Sequence, residues 1–132
     1  MISFSENQKK FFDAKNFAFI ATLNKDGSPQ VTPTWVDTDG KYILINVTPT
    51  RRKAKNIGRD PRVAVAVADQ TNPYSMITVK GKVVEQIQGK VAEDHIDKMA
   101  KKYLGQDKYP YRQPGEKRLL LKIEPVSISG WG

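Results

Sequence analysis

The chain has 132 residues, no cysteine and one histidine, and its 22 lysines and arginines against 14 acidic residues give a net charge of +8. The lack of cysteine excludes a disulfide scaffold, a thiolate nucleophile, a structural zinc site with cysteine ligands and an iron–sulfur cluster, and the single His95 leaves little room for a metal cage or a Ser/His/Asp triad. At this length, with 39% hydrophobic residues, we expect one globular domain over residues 1–132, and the surplus of positive charge indicates an anionic partner.

The first predicted element is a short helix near the N-terminus. Ser3 and Ser5 precede it, Glu6 and Gln8 occupy capping-box positions, and Phe11 and Phe12 supply its apolar residues. We expect this helix to cover one end of the core. Neither this segment nor any later one contains an apolar run near the ~20 residues of a membrane-spanning helix, so we expect a cytoplasmic protein.

Three predicted strands follow, over residues 17–23, 30–36 and 41–47. The turns between them contain Asp26-Gly27 and Asp39-Gly40, which are typical of hairpins, and the flanking residues are apolar, β-branched or aromatic. The pattern therefore predicts an antiparallel meander. Pro33 interrupts the second strand and indicates an edge, a bulge or a gap, because proline cannot donate to a strand ladder.

The chain then becomes strongly basic. Within residues 51–62 six cations stand against Asp60 alone, a net charge of +5; the cations are Arg51, Arg52, Lys53, Lys55, Arg59 and Arg62. We expect a loop followed by a short helix, with Thr50 as its N-cap and with Gly58 and Pro61 at its end.

The rest of the chain predicts three more strands and a longer helix. Residues 62–68 alternate valine with alanine, so one face of this strand is small and should lie close against a helix or a flat ligand. Residues 74–86 form a strand in which Gly81 indicates a bulge or a close approach. Residues 91–104 have the pattern of an amphipathic helix, and residues 117–129 form the last strand.

These elements predict a mainly β, α+β fold. Six strands, mostly consecutive and joined by short turns, favour an antiparallel sheet that curls into a small barrel. The helices are expected at its ends and side.

The concentration of charge in residues 51–62 indicates a phosphate site. Cationic side chains, the N–H groups of a helix N-terminus and the hydroxyls of Thr48 and Thr50 are suitable phosphate ligands. Neither a Walker sequence nor a GxGxxG motif accompanies them. One alternative is a solvated basic helix. Another is a nucleic-acid-binding barrel, although the basic stretch lacks aromatic residues to stack on bases.

Few other residues suggest chemistry. His95, among acidic neighbours, is either a general acid or a residue at the border of the core. Tyr109 and Tyr111 either pack over the loop that carries them or line a substrate entrance. Asp37 and Asp39 are assigned to a turn, which leaves no carboxylate pair with acid–base spacing. The sequence thus identifies no catalytic residue and no metal site.

Three stretches together carry a family resemblance, which extends over about residues 17–124. They are FAFIATLNKDGSPQVTPTWVD at residues 17–37, RRKAKNIGRDPRVAVAV at residues 51–67 and NPYSMITVKGKVVE at residues 72–85. Their order resembles the pyridoxamine-phosphate-oxidase-like split-barrel flavoproteins, above all the small branch that depends on coenzyme F-420. The resemblance implies a split β-barrel that forms a homodimer, with flavin or deazaflavin in a groove at the dimer interface.

The resemblance also implies three groups of cofactor-binding residues. The cofactor phosphate would be held by Arg51, Lys53, Lys55 and Asn56. The ring would lie along Thr32, Pro33, Thr34 and Trp35, with Thr48 and Thr50 assisting at ring and phosphate. The other border of the ring would be formed by Tyr74, Ser75 and Met76.

We therefore expect a homodimeric oxidoreductase that binds coenzyme F-420 and passes hydride to a small organic acceptor. The alternative is an FMN-binding protein of the same family. Short length and charge beyond the need of one phosphate favour F-420. A carrier or sensor that binds cofactor without turnover is a further interpretation, whereas no nucleic-acid or membrane partner is expected.

Overall fold

The computed structural model describes residues 2–131 and, for Trp131, the backbone alone. The helices are α1 (Glu6–Asp13), α2 (Arg52–Arg59) and α3 (Lys90–Leu104). The strands are β1 (Ala18–Leu23), β2 (Pro29–Thr34), β3 (Asp37–Thr38), β4 (Ile43–Val47), β5 (Arg62–Ala68), β6 (Met76–Ile87) and β7 (Leu119–Trp131).

The seven strands form one antiparallel sheet in the order β2-β1-β5-β6-β7-β4-β3. The sheet curls around an apolar core and the helices lie at its ends and side. This is an α+β split barrel, which confirms the predicted fold class. The structure has seven strands rather than six, because Asp37 and Thr38 form the short strand β3 where the sequence indicates a turn.

The meander predicted for the first strands is wrong. β2 pairs with β1, whereas β4 pairs with β3 and β7, so β2 and β3 lie at opposite edges of the sheet. The backbone between them is bound by α3. The N–H of Val36 donates to the Tyr103 hydroxyl at 3.0 Å, and its carbonyl accepts from Lys102 Nζ at 2.7 Å. Since α3 satisfies these groups, the chain leaves the sheet there, and Pro33 lies on an edge strand as predicted.

The bulge predicted at Gly81 is confirmed. The register of β6 on β7 shifts between Lys80 and Gly81. A Cβ atom at Gly81 would lie 2.6 Å from the carbonyl oxygen of Glu124, so only glycine allows the two backbones to approach this closely.

The helix starts differ in how well they are predicted. Of the residues expected to cap α1, Ser5 and Gln8 form a capping box. For α2, however, Arg51 is the N-cap and its side chain makes no capping bond. The predicted cap, Thr50, instead places its hydroxyl 3.4 Å from that of Thr48. The helix thus begins one residue later than expected.

Two apolar clusters join the helices to the sheet. The larger lies on the inner face of the sheet, and Phe12 of α1 closes one end of it against Phe4, with ring centroids 4.9 Å apart. The smaller lies between α3 and the segment after β2, and comprises Ile96, Met99 and Tyr103 with Trp35 and Tyr109 packed against them. Within residues 2–131, no helix has the length and hydrophobicity needed to cross a membrane.

The outer sheet face is apolar and open. It comprises Phe19, Ala21, Val31, Ala64 and Ala66, which neighbour one another through the registers of β1 with β2 and β5. Phe19 is 49% exposed and Val31 61% exposed. The sequence predicts that the alanine side of β5 packs against another element, and in the described part of the chain no helix or loop covers this face.

Candidate functional site

A cleft of about 230 Å³ opens between the end of β2, the end of β4, the start of α2 and the segment that precedes β7. Its lining is formed by Phe17, Pro33, Thr34, Trp35, Asn46, Val47, Thr48, Arg51, Lys53, Ile96, Tyr109, Tyr111 and Arg118. Apolar and aromatic groups thus combine with a few convergent polar ones, which is the usual composition of a small-molecule site.

The polar side of the cleft carries a cationic cluster of Arg51, Lys53 and Arg118. Lys53 is buried and its ammonium donates to the Thr32 hydroxyl at 3.3 Å. Burial lowers the pKa of Lys53, and the charges of Arg51 and Arg118 lower it further. Within residues 2–131 neither Arg51 nor Lys53 has a carboxylate within 4.0 Å, while Arg118 lies 3.6 Å from Glu116. A bound anion would relieve this repulsion, so the cluster is suited to an anionic group.

The start of α2 brings two of these cations to the cleft. Arg51 is the N-cap and Lys53 lies in the first turn, beside the positive end of the helix dipole. Lys53 points inward with Ala54, whereas Lys55, two residues further on, is exposed. Residues two apart lie on nearly opposite sides of a helix, so the alternation follows from helical geometry.

The other side of the cleft is an aromatic cluster of Trp35, Tyr103, Tyr109 and Tyr111. Trp35 stacks on Tyr103 with ring centroids 5.0 Å apart. Tyr109 meets Trp35 edge-on at 6.0 Å, and Tyr111 meets Tyr109 edge-on at 5.8 Å. Since Tyr109 and Tyr111 line the cleft, the entrance interpretation of these residues agrees with their position.

The segment that carries Tyr109 is tied to α3 through Asp97. The N–H of Tyr109 donates to this carboxylate at 2.9 Å and Arg112 donates to it at 3.2 Å. Burial disfavours the ionised form of Asp97, but the bond from Tyr109 and the charge of Arg112 outweigh it and lower the pKa. The aromatic side of the cleft is therefore anchored by a charged group.

The structure brings six of the predicted site residues into the cleft, and two more adjoin it. The six are Pro33, Thr34, Trp35, Thr48, Arg51 and Lys53. Thr32 adjoins through its bond with Lys53, and Thr50 through its contact with Thr48.

Five predicted residues lie outside the cleft. Lys55 is exposed on α2, and Tyr74, 81% exposed, lies with Ser75 and Met76 where the chain turns from β5 into β6. Asn56 is buried.

The Asn56 amide joins α2 to β1. It donates to the Thr22 hydroxyl and to Asn24 Oδ1, both at 3.0 Å, and accepts from Arg59 at 3.0 Å. Its hydrogen bonds are thus made within the protein, and its position fixes the helix that carries Lys53.

Arg118 and Asn46 are the polar site residues that the sequence interpretation missed. Asn46 lies on β4 and Arg118 directly before β7, and their bond joins residues 72 positions apart. No spacing in the sequence marks them. Only the pairing of Val47 with Leu119 brings the two together at one end of the cleft.

Asp37 differs from the sequence interpretation, whereas the position of His95 agrees with a residue at the border of the core beside an acidic group. Asp37 is a buried residue of β3 rather than a turn residue, and His95 is buried on α3 at 3.1 Å from its carboxylate. Neither lines the cleft. Residues 2–131 contain no group of three His, Cys, Asp or Glu side chains arranged to hold a metal ion.

A second, larger depression of about 460 Å³ lies on the outer sheet face. Its floor includes Ala21, Leu23, Val63 and Ala64, and Arg62 stands at its border with two lysines of β6. It is apolar and lacks the convergent polar groups of the cleft. Such a surface is more typical of a protein interface than of a small-molecule site.

Residues 4–132 match the family described as pyridoxamine 5'-phosphate oxidase. The chain belongs to this family. Among curated proteins, none matches the sequence.

Solved structures of several proteins resemble this member of the pyridoxamine 5'-phosphate oxidase family. An F420 reductase has 26% sequence identity and a TM-score of 0.82, with 96% of this chain and 98% of that chain covered. The conserved hypothetical protein Rv2991 of Mycobacterium tuberculosis has 23% identity and a TM-score of 0.77, covering 97% and 84%. HupZ of Group A Streptococcus has 17% identity and a TM-score of 0.67, covering 100% and 98%. The last two likenesses concern the fold alone.

Proposed function

We propose that this protein is a homodimeric oxidoreductase that binds coenzyme F-420 in the cleft and transfers hydride to a small organic acceptor. Family membership and the likeness to an F420 reductase support a flavin or deazaflavin cofactor. The observation that carries the proposal is the position of the cationic cluster opposite the aromatic cluster in one cleft. FMN is the alternative cofactor.

The cationic cluster fits the phosphate of either cofactor. Arg51 and Lys53 supply positive charge, and Thr48 and Thr50 place hydroxyls beside them. Hydrogen bonds to charged groups contribute roughly 1.5–3 kcal/mol each, so two such residues account for a large part of a micromolar affinity. Because burial and neighbouring charges lower the pKa of Lys53, its ammonium gains more from a bound anion than an exposed lysine does.

The edge strand β2 fits a planar ring. In the described chain β2 pairs with β1 on one side only, which leaves its other backbone edge available to the polar rim of the ring. Pro33 and Thr34 bring this edge to the cleft, and Trp35 forms the adjoining surface. An aromatic surface beside free backbone donors and acceptors is suited to a flat heterocycle.

The outer sheet face supports the dimer. Phe19 and Val31 are large exposed apolar side chains beside small alanines, a surface that a second subunit can pack against closely. In such a dimer Tyr74, Ser75 and Met76, which lie outside their own cleft, are available to the groove of the other subunit. These three residues would then form the other border of the ring, which is the role that the resemblance implies for them.

The chain itself contributes binding and orientation rather than acid–base chemistry. When bound, the cofactor supplies the hydride. Among the residues that the structure describes, the cleft lining contains no Asp, Glu or His. Binding energy from the anion at Arg51 and Lys53 can hold the ring in a fixed orientation toward an acceptor that enters past Tyr109 and Tyr111.

The test is a side-by-side titration of the purified protein with coenzyme F-420 and FMN, followed by absorbance and fluorescence. Saturable binding of F-420 tighter than that of FMN is expected. Binding of FMN but not of F-420 would identify FMN as the cofactor in place of F-420. Binding of neither would overturn the proposal. Oxidation of reduced F-420 in the presence of organic acceptors then separates an enzyme from a carrier.

A further inference from the structure

A network of hydrogen-bonded, buried polar side chains connects β3 to the cleft. Asp37, Asn46, His95 and Arg118 are each less than 10% exposed. His95 Nε2 lies 3.1 Å from Asp37 Oδ2, and His95 Nδ1 lies 3.2 Å from the amide nitrogen of Asn46. Asn46 Oδ1 accepts from Nε of Arg118 at 2.8 Å. Of the four, Asn46 and Arg118 line the cleft.

The hydrogen-bond partners of these side chains determine which group donates and which accepts in each bond of the network. The carbonyl of Ala92 can only accept, and it lies 2.8 Å from Asn46 Nδ2; Nε of Arg118 can only donate, and it faces Asn46 Oδ1. The Asn46 amide therefore has one orientation. Because its NH2 group faces Nδ1 of His95, that nitrogen must accept, so the ring proton is on Nε2 and is donated to Asp37.

We propose that His95 is a positioning residue for the cleft: as the neutral Nε2–H tautomer it fixes the Asn46 amide, and Asn46 holds the Arg118 guanidinium toward the bound anionic group. The inference rests on the proposed function for the identity of that anion. The tautomer of His95 and its coupling to Arg118 are properties of the protein without cofactor.

Arg118 has the properties that this role requires. Asn46 Oδ1 takes its Nε–H, the backbone carbonyl of Asn46 lies 3.4 Å from Nη2, and Glu116 lies 3.6 Å from Nη1, so each terminal nitrogen keeps a second N–H for a ligand. Its guanidinium carbon lies 5.2 Å from the centre of the Tyr109 ring, so its plane is fixed on the aromatic side as well. Its charge contributes to the lowered pKa of Lys53, which places both cations in one electrostatic field.

Protonation of His95 would break this arrangement. Both ring nitrogens then donate, and the Nδ1–H opposes the NH2 group of Asn46. Asn46 must then rotate, which turns its NH2 group toward Arg118. Anion binding should therefore weaken when the pH is low enough to protonate the ring.

Several charged groups lie around His95. Asp37 faces it from β3. Lys98, on α3 itself, donates to the same carboxylate oxygen at 3.1 Å. Glu93 of α3 accepts the backbone N–H of Arg118 and pairs with Arg112, while Arg118 faces the ring from the start of β7 through Asn46.

The first experiment is ¹⁵N NMR of the imidazole in the free protein. The chain has one histidine, so its ring signals belong to His95. At pH 8 we expect a protonated Nε2 and an unprotonated Nδ1, and the Nε–H signal of Arg118, assigned with Arg118→Lys, should shift with the His95 titration. A proton on Nδ1, or an Arg118 signal that ignores the titration, would overturn the inference. This measurement needs no cofactor.

The second experiment compares the pH dependence of F-420 and FMN binding in His95→Gln and Lys98→Ala. The glutamine can accept from Asn46 and donate to Asp37 but cannot be protonated, so His95→Gln should keep the pH 8 affinity and lose the decline at low pH. That decline should be about tenfold in the wild type, as for one lost bond to a charged group. Lys98→Ala removes the other partner of Asp37 and should keep the decline. A decline of equal size in His95→Gln would contradict the role of His95.

Inorganic phosphate separates the failure of this inference from the failure of the proposed function. If phosphate shifts the Arg118 Nε–H signal at pH 8 while neither cofactor binds, the positioning role stands and the cofactor assignment falls. If both cofactors bind but the Gln variant and the wild type share one pH profile, the cofactor assignment stands and the positioning role falls.

Discussion

Trp35 stacks on Tyr103 with ring centroids 5.0 Å apart and planes 4° from parallel. The Tyr103 hydroxyl accepts the N–H of Val36 at 3.0 Å and donates to the carbonyl of Asn16 at 2.6 Å. One side chain of α3 thus fixes both the backbone after β2 and the indole beside the cleft. The same contacts explain why the chain leaves the sheet after Thr34, so the split in the barrel and the aromatic side of the cleft have one origin.

Tyr103→Phe should lower the free energy of unfolding by about 1–3 kcal/mol, because it leaves a buried N–H and a buried carbonyl without their partner. Burial raises the pKa of this phenol to about 12, so the hydroxyl stays protonated in the working range. Chemical denaturation measures the loss. Tyr111→Phe is the control, since its side chain is 60% exposed, and should change stability by less than ~0.5 kcal/mol. Equal stabilities of the two variants would contradict the bridging role.

Asp37 should make the protein sensitive to acid. Burial opposes its ionisation, but hydrogen bonds from His95 and Lys98 outweigh it and lower the pKa to about 2 from the ordinary 3.8. Its ionised form therefore favours the fold, fully above about pH 4, and this contribution of roughly 2 kcal/mol is lost as the pH falls toward 2.

Asp37→Asn should accordingly be less stable at pH 7 and show a flatter decline of stability between about pH 4 and 2. Urea unfolding at a series of pH values measures both effects. Asp94→Asn, which changes an exposed carboxylate of α3, should keep the wild-type decline. If the stability of Asp37→Asn declined between about pH 4 and 2 as steeply as that of the wild type, other carboxylates would govern acid unfolding.

The outer sheet face should hold the dimer together. Ala66→Arg places a long charged side chain opposite Phe19 in the register of β1 with β5, and we expect a monomer in light scattering. Cofactor affinity should fall with it if the groove spans two subunits. Val91→Arg, on an exposed apolar residue of α3, should leave the dimer intact. A wild-type monomer, or a dimer in Ala66→Arg, would refute this assignment.

Two glycines should respond to alanine in opposite directions. At Gly81 the new Cβ would lie 2.6 Å from the backbone oxygen of Glu124, so Gly81→Ala should be strongly destabilising. At Gly58, inside α2, nothing lies within 4 Å, and Gly58→Ala should stabilise by about 0.5–1 kcal/mol because alanine is the better helix former. Thermal unfolding of both variants tests the pair, and a stable Gly81→Ala would contradict the close approach of β6 to β7.

Features with a local cause could be predicted from the sequence. The capping box at Ser5, the turn at Asp26-Gly27 and the bulge at Gly81 each depend on a few adjacent residues. The concentration of positive charge in residues 51–62 likewise predicted an anion site that includes Arg51 and Lys53. The helical period would also have separated Lys53 from Lys55, because residues two apart on a helix face nearly opposite directions.

Features that depend on distant pairings could not be predicted. Asp37 and His95 are 58 residues apart, and Asn46 and Arg118 are 72 apart. Their contacts follow from the docking of α3 and the pairing of β4 with β7, for which the local pattern holds no information. The error in the meander has the same cause, because Tyr103 and Lys102, far along the chain, decide where β2 ends.

The most direct measurement is the affinity for coenzyme F-420 and FMN of the double variant Arg51→Ala, Lys53→Ala beside Lys55→Ala. All three residues are basic and lie at the start of α2, but only Arg51 and Lys53 line the cleft. The double variant should lose at least about tenfold in affinity, since each lost bond to a charged group costs roughly 1.5–3 kcal/mol, whereas Lys55→Ala should bind within about twofold of the wild type. Unchanged binding in the double variant, or an equal loss in Lys55→Ala, would contradict the assignment of this cleft as the cofactor site.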